Sequence, residues 1–458
     1  MRIVIAGAGK IGSYLVERLV TEGHDVTVVD QNEKILEELS WNFDLQTIVG
    51  KASSRSTLRK AGVETADIVV AVTNSDETNL IVCLLADSLN LEIRKIARVR
   101  ELLVGEGSLS PRIAQVFDEF INPDREAANY LSRVFEIPGA CDVLDFADGK
   151  VDVIGVTLGK KSKVIGRSLK EFRSTDGGVN SMLVVAIARE GELIIPSGTD
   201  ILQTRDTVYI ATAPSEVDKI FEIEGSERSE IKNVMIFGGS GLGRQLARQL
   251  SGKDIKLKLI EQDPAICEKL AVELEDVLVL KGRGSDQTLL REEGIEDVDM
   301  FVGVADDDED NILAALLAKK LGAKKTAVAV NSNSYLNLVT TIGVDIVVSP
   351  MIAGASSILK FVRPGAVSGV FSTRDNTAEV FEVIVTEDSK VVGKLLKDKP
   401  FPAGVIVAAI IRGEEVTIPD GLTQIEEGDH IILFANKSEM SRLSKLIGAG
   451  SKLGIFSG

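Results

Sequence analysis

A glycine-framed segment occurs twice in this chain, and its recurrence constrains the fold more than any other feature. Gly7-Ala8-Gly9-Lys10-Ile11-Gly12 follows the apolar start Ile3-Val4-Ile5-Ala6, and Gly238-Gly239-Ser240-Gly241-Leu242-Gly243 returns 231 residues later. Each segment is followed, 18 residues past its last glycine, by an acid that ends an apolar run: Val28-Val29-Asp30 and Leu259-Ile260-Glu261. The match continues with one inserted residue, 66–72 against 298–304, then Asp76-Glu77-Thr78-Asn79 against Asp308-Glu309-Asp310-Asn311. A second block repeats too. Val164-Ile165-Gly166 resembles Val391-Val392-Gly393, Ala186-Ile187-Ala188-Arg189 resembles Ala409-Ile410-Ile411-Arg412, and Ile195-Pro196 resembles Ile418-Pro419. Asp206-Thr207-Val208 pairs with Asp429-His430-Ile431 in the same way. The chain is a tandem duplication of the form A-B-A′-B′.

The A blocks alternate short β-branched runs with amphipathic segments. Ile11, Leu15 and Leu19 recur every four residues and give one apolar helical stripe, as do Leu242, Leu246 and Leu250. Strand, helix, strand at this spacing predicts a parallel sheet with helices on its faces. The B blocks carry short strands, near 182–187 and 405–411, and a hairpin-like turn at Arg189-Glu190-Gly191-Glu192. The expected fold is therefore α/β: two Rossmann-like, doubly wound parallel-sheet domains, each followed by a small α+β domain. The expected boundaries are 1–138, 139–225, 231–367 and 368–455, with the polar stretch 224–230 as an exposed linker. A length of 458 residues accommodates several domains of roughly 150 residues each.

The glycine spacing has a chemical reading. Gly7 permits a tight turn, Gly9 lets backbone approach a pyrophosphate, and Gly12 lets helix and strand pack closely. Exposed N–H groups at a helix start then favour phosphate. Asp30, at the end of the second strand, accepts hydrogen bonds from a ribose 2′-OH and repels a 2′-phosphate, so NAD(H) is favoured over NADP. The adenosine of ATP or ADP carries the same hydroxyl, so these remain candidates. In the second copy Glu261 stands for Asp30, but Ser240 replaces the middle glycine and crowds a pyrophosphate; it could also donate a hydrogen bond to one. The remaining lining lies beyond the carboxyl ends of the strands, at Thr73, Asn74 and Asp76 in the first copy and at Ala305 and Asp306 in the second. The run Asp306-Asp307-Asp308-Glu309-Asp310 reads first as carboxylates capping a helix and second as a cation or partner contact.

Composition narrows the chemistry. The formal net charge of −17 opposes nucleic acid as a partner. No apolar run is long enough for a membrane helix, and the N-terminus reads as a strand rather than a signal peptide. A soluble cytoplasmic protein is expected, with any membrane role coming through a partner. Cys83, Cys141 and Cys267 fit neither a disulfide framework nor a zinc spacing. His24 and His430 are the only histidines. A His-based dehydrogenase, a Ser-His-Asp hydrolase or a His-ligated metal site has almost nothing to be built from.

With these residues in place, the chain resembles the TrkA family, the cytosolic NAD-binding subunits of bacterial Trk potassium-uptake systems, each half resembling one RCK unit. The carriers are 7–12, Asp30, the loop 73–79, Ala97-Arg98-Val99-Arg100, and, in the second copy, 317–325 and Glu427-Gly428-Asp429-His430. Ile121-Asn122-Pro123 and Ile137-Pro138-Gly139-Ala140 are similar to the family's crossover segment. The resemblance implies that Gly7, Ala8, Gly9, Lys10 and Ile11 cradle a pyrophosphate, Asp30 holds the ribose, Thr73 and Asn74 line the pocket, and Arg98 reaches the ligand. Gly238, Gly239, Ser240, Gly241, Leu242 and Glu261 are the corresponding second set. Lys51 and Arg283 follow Gly50 and Gly282, where the family often carries an acid; a basic residue there would meet phosphates.

The same resemblance implies a function without catalysis. A homo-oligomeric ring would dock beneath an integral-membrane potassium transporter of the Trk type, at the inner face of the cell membrane. NAD(H), and ATP or ADP, would bind two ring conformations unequally and gate the pore. Two other readings stay open: regulation of a different channel or efflux system, and an NAD-dependent oxidoreductase, which would need a substrate domain and a proton-transfer group.

Overall fold

The computed structural model describes residues 1–100, 115–137, 139–147, 149–174, 181–190, 192–220, 231–239, 241–362, 371–372 and 378–447. Pro138, Gly191, the polar stretch 224–230 and Ser240 lie outside the described residues.

Among the described residues, four sheets follow one another along the chain. The first has six parallel strands: β1 (Arg2–Ala6), β2 (Asp25–Asp30), β3 (Gln46–Val49), β4 (Ile68–Ala71), β5 (Arg94–Arg98) and β6 (Glu119–Ile121). Between them run α1 (Lys10–Thr21), α2 (Glu33–Asn42), α3 (Arg55–Lys60) and α4 (Asp76–Leu89), and α5 (Pro123–Glu136) follows β6. The second sheet is antiparallel and comprises β7 (Ala140–Phe146), β8 (Val151–Thr157), β9 (Met182–Arg189), β10 (Glu192–Ile194) and β11 (Thr207–Thr212). The third is parallel again: β12 (Asn233–Phe237), β13 (Lys256–Glu261), β14 (Val277–Lys281), β15 (Met300–Gly303), β16 (Lys325–Ala329) and β17 (Ile346–Val348). Its helices are α6 (Gly241–Leu250), α7 (Pro264–Glu273), α8 (Gln287–Glu292), α9 (Asp308–Leu321), α10 (Asn333–Thr341) and α11 (Pro350–Val362). The fourth is antiparallel: β18 (Phe371–Ser372), β19 (Ala378–Ile384), β20 (Val405–Arg412), β21 (Glu415–Thr417) and β22 (His430–Asn436).

The two parallel sheets have the same strand order, β3-β2-β1-β4-β5-β6 and β14-β13-β12-β15-β16-β17. This is the doubly wound arrangement that the duplicated glycine pattern predicts. Side chains explain it. Along β1, Ile3 and Ile5 join one buried cluster while Val4 and Ala6 join another, the period-two alternation of a strand covered on both faces. Ile11, Leu15 and Leu19 of α1 close the first face, all 6% exposed or less.

By contacts the chain divides into two compact units. The first holds residues 1–127 and also α11. Met351, Ala355, Ile358, Leu359 and Val362 of α11 complete the cluster of Ile3, Ile5 and Leu15. Each fully buried large side chain there contributes about 1.5–3 kcal/mol. Gly354 allows the approach, since a Cβ there would lie 2.9 Å from Pro123 Cγ. A helix from late in the chain thus covers the first sheet, and no local sequence signal announces it.

The second unit holds the second, third and fourth sheets. The later part of α5 belongs to it, with Asn129 accepting from Gln249 at 2.7 Å and Glu136 pairing with Lys253 at 2.9 Å. The two antiparallel sheets share one core, in which Phe146, Val153 and Tyr209 meet Val380, Ile411 and Phe434. Each of them repeats one ion pair on a buried carboxylate, Arg189 with Asp206 at 2.7 Å and Arg412 with Asp429 at 2.6 Å; both carboxylates are 1% exposed, while the arginines reach solvent. Among the described residues no helix is long and apolar enough to cross a membrane.

Candidate functional site

In the first sheet the strand order reverses between β1 and β4, so a crevice opens beyond the carboxyl ends of those strands. Gly7 turns the chain there with φ +110°, and a Cβ on it would lie 2.9 Å from the backbone nitrogen of Thr73. At Gly12 a Cβ would lie 1.9 Å from the carbonyl oxygen of Gly7. These two glycines are demanded by the packing of helix, strand and loop.

Gly9 is different. Its φ of −68° and ψ of −172° suit any residue, and, its chain neighbours aside, no atom of a described residue lies within 4 Å of where its Cβ would stand. The fold does not need a glycine here, and the open space is what a close-lying phosphate requires. Gly9 is also the N-cap of α1, with no side chain to bond the first-turn N–H groups. The positive end of α1 is therefore available to an anion. Ala8 and Ile11 are buried, and Lys10 is exposed at the first position of the helix.

Asp30 ends β2 and binds this turn together. Its Oδ2 accepts the N–H of Ala8 at 2.7 Å and its Oδ1 accepts the N–H of Asn32 at 2.8 Å. The Ala8 amide is thus engaged within the protein. A carboxylate offers about four lone-pair sites, which leaves room for ribose hydroxyls.

Arg98 ends β5 on the far side of the crevice and is 8% exposed. One Nη donates to the carbonyl of Thr73 at 3.3 Å, while the buried Nε has no partner among the described residues. Burial, and next the charge of Arg100, lowers its pKa to about 10. A buried guanidinium with an orphaned donor is costly unless an acceptor meets it. The open space at Gly9, the uncapped helix start, the spare lone pairs of Asp30 and the orphaned Nε of Arg98 together fit an adenine nucleotide with its phosphates.

One residue that organises this crevice escapes sequence reasoning. Asn79 is fully buried in α4. Its Oδ1 accepts from the Thr73 amide at 2.8 Å and from the Thr73 hydroxyl at 2.7 Å, and its Nδ2 donates to the carbonyls of Thr73 and Arg98 at 3.2 and 2.9 Å. It therefore staples the β4 loop to the end of β5. Asp76 adds a tie by accepting the Arg100 amide at 2.8 Å, and Ser75 caps α4 on Thr78 at 3.1 Å. Asn74 is exposed on the loop. The available signal was the recurrence of this asparagine as Asn311. Asn79→Leu removes the side-chain partner of the Thr73 N–H and of the Arg98 carbonyl, at about 1–3 kcal/mol for each unsatisfied group, while the Thr73 carbonyl keeps its bond from Arg98. The expected outcome is a fall of about 5–10 °C in the melting temperature of the unit that holds it, read by circular dichroism.

The second copy repeats the scaffold with different chemistry. Gly238 has φ +106° against Ala305, and a Cβ on Gly243 would lie 1.8 Å from the Gly238 carbonyl. Glu261 accepts the amides of Gly239, Gln262 and Asp263 at 2.7, 2.6 and 2.8 Å. Asn311 bonds the amide and carbonyl of Ala305 and the carbonyl of Ala329. Ala329 thus stands where the first copy has Arg98, so this copy has no guanidinium at the end of its β5 equivalent. Gly239 is a packing glycine, since its Cβ would lie 2.5 Å from Leu270 Cδ1. Gly241 and Leu242 open α6, the latter buried. Arg283 faces Asp310 at 3.4 Å, while Lys51 is exposed at the corresponding place.

The acidic run is engaged locally. Asp307 caps α9 through the Asp310 amide at 2.8 Å, Asp308 accepts from the amides of Asn331 and Ser332, and Glu309 accepts from the Tyr335 hydroxyl at 2.6 Å. This matches the capping reading. Among the described residues no group of His, Cys, Asp and Glu is placed to hold a metal ion. His24 is pushed down to about 4 by burial and by the nearby N-terminal ammonium, so it is neutral at pH 7. His430 lies 3.3 Å from the buried Glu382, away from either glycine turn in sequence.

Comparison with known proteins follows the same duplication. The family model described as the TrkA-N domain matches residues 3–103 and 234–350, and the one described as the TrkA-C domain matches 153–225 and 380–448. The Trk system potassium uptake protein TrkA of Vibrio alginolyticus is 37% identical over 453 residues, covering 97% of this chain and 98% of its own. That of Halomonas elongata is 36% identical over 457 residues, covering 98% and 99%. Among solved structures, the GsuK RCK domain matches with TM-score 0.59 at 19% identity, covering 97% of this chain and 94% of that one. A GsuK channel bound to NAD gives 0.60 at 19% identity, covering 97% and 78%. At such identity the likeness is one of fold.

Proposed function

The chain belongs to the TrkA family, and from that premise we propose that it is a non-enzymatic regulatory subunit of a potassium-uptake transporter, controlled by nucleotide binding. The first site takes NAD(H), with ATP or ADP competing through the same adenosine and phosphate contacts. One observation carries this reading: a glycine whose missing Cβ the fold does not need, in a turn whose Gly7 packs on Thr73, the residue that the buried guanidinium of Arg98, with its orphaned Nε, bonds. Relatives similar over nearly the whole length are named as potassium-uptake proteins, and a structural neighbour is a channel bound to NAD. The partner is an integral-membrane transporter subunit, and the protein works in the cytoplasm at the inner face of the membrane. The duplicated module suits a closed homo-oligomeric ring, since two pseudo-equivalent units per chain allow a few chains to close on themselves. Nucleotides that bind two ring states unequally would shift the balance between them and so gate transport. The second site, with Ala329 for Arg98 and Ser240 for Gly9, would hold phosphate less strongly and favours a different ligand.

The test is calorimetric titration of the purified chain, followed by capture of the transporter from membranes. NAD is expected to bind more tightly than NADP. Asp30→Ala should weaken NAD binding about tenfold, roughly 1.4 kcal/mol, through loss of the ribose contacts. Glu261→Ala should leave that affinity unchanged. Equal NAD and NADP binding, or an unaltered Asp30→Ala isotherm, would remove the ribose role; failure to recover a potassium transporter would remove the partnership.

A further inference from the structure

Trp41 is the only tryptophan in the chain, and it stands on the outer side of α2 with 83% of its surface exposed. The fold does not require it there. Leu36 and Leu39 form the buried stripe of α2, and Trp41 is off that stripe. Residues three and four positions apart are neighbours on a helix surface, so Glu38 and Glu37 flank the indole. Both are exposed, and neither has an ion pair with another described residue. Asp44, just past the helix, is exposed as well.

The result is an aromatic face rimmed by carboxylates. A guanidinium or ammonium over an indole is attracted by the ring quadrupole, more strongly than over tyrosine or phenylalanine, and the carboxylates add complementary charge. The same rim repels phosphate and acidic lipid headgroups. The second copy keeps a large apolar residue at the matching position, Val272, 82% exposed on α7. It has no ring, so only the first copy has the full constellation.

We infer that Trp41, Glu37 and Glu38 form a docking point for a Lys- or Arg-bearing cytoplasmic segment of the membrane transporter subunit. This inference rests on the partnership proposed above. Cytoplasmic segments beside membrane spans carry an excess of Lys and Arg, which is the charge that this surface selects. Tryptophan is enriched among the residues that dominate binding energy at interfaces. The docking point lies on α2, so its loss leaves the glycine turn and Arg98 untouched.

The single tryptophan supplies the probe. The full chain labelled with 5-fluorotryptophan has one fluorine resonance, which is followed while unlabelled transporter subunit in neutral detergent is added. The expected result is a shift or broadening that weakens as salt rises from about 50 to about 300 mM. Trp41→Ala should lower affinity for the transporter about tenfold, and Glu37→Lys with Glu38→Lys at least as much. NAD affinity and helical content should be unchanged in both. An unmoved resonance with wild-type affinity in Trp41→Ala, while the wild-type chain binds the transporter, overturns the docking point alone. No binding by the wild-type chain overturns the docking point and the partnership together. A shift caused by anionic vesicles alone, or by raising the concentration of the chain alone, overturns it in favour of a lipid surface or a second copy.

Discussion

Gly9→Val should leave the chain folded and remove NAD(H) binding, with affinity reduced more than a hundredfold or lost to calorimetry. The first half of this expectation comes from the backbone. At φ −68° and ψ −172° Gly9 occupies extended space that a β-branched residue adopts readily. Apart from its chain neighbours, no atom of a described residue lies within 4 Å of the added Cβ, so the melting temperature should fall by only a few degrees, the cost of exchanging glycine for valine at an N-cap. The second half comes from the ligand. An isopropyl group at the N-cap of α1 fills the volume that a pyrophosphate would use to reach the first-turn amides. A loss of more than a hundredfold corresponds to about 2.8 kcal/mol or more. Gly12→Ala is the contrasting control. Its Cβ would stand 1.9 Å from the Gly7 carbonyl, so that variant should lose stability and binding together. If Gly9→Val binds NAD as tightly as the parent, phosphate does not lie at this turn. If it unfolds like Gly12→Ala, the glycine is structural after all.

That contrast marks what the sequence could and could not disclose. The spacing of Gly7, Gly9 and Gly12 before a helix, with an acid 18 residues on, reflects local sterics and strand length, so sheet and turn were legible together. The duplication made the third and fourth sheets legible by repetition. The differing duties of the three glycines were not legible, because what a Cβ would meet depends on Thr73 and on the Gly7 carbonyl. Nor was Asn79, whose side chain serves two loops that meet only after the sheet has formed. Helix α11 belongs to the same class. Its Met351, Ile358 and Leu359 read as an ordinary apolar stripe, and only tertiary contact shows that they cover the first sheet. The copies also compensate over distance. Phe237 ends β12 where Ala6 ends β1, and Gly284 makes room for it, with a would-be Cβ 2.3 Å from the ring.

Arg98→Met should cut nucleotide affinity about fiftyfold while leaving the ligand-free protein as stable as before, or more so. Two opposing terms decide the sign. The guanidinium is buried, its Nε has no acceptor among the described residues, and its bond to the Thr73 carbonyl is long at 3.3 Å. Burial lowers its pKa to about 10, so at pH 7 it is still a cation and the cost of desolvating it is present in full. Methionine fills a similar volume without that cost, and replacing poorly compensated buried charge with an apolar side chain is commonly neutral or stabilising. With nucleotide bound, the balance reverses. A hydrogen bond to a charged group contributes about 1.5–3 kcal/mol, which is roughly 10- to 150-fold in affinity. Thermal melts with and without NAD separate the terms: the parent gains stability on adding ligand, and Arg98→Met starts level or higher but gains much less. A variant that melts several degrees lower without ligand and still binds NAD as well as the parent would make Arg98 a structural strut. The charge that burial makes costly at Arg98 would then have no ligand to explain it.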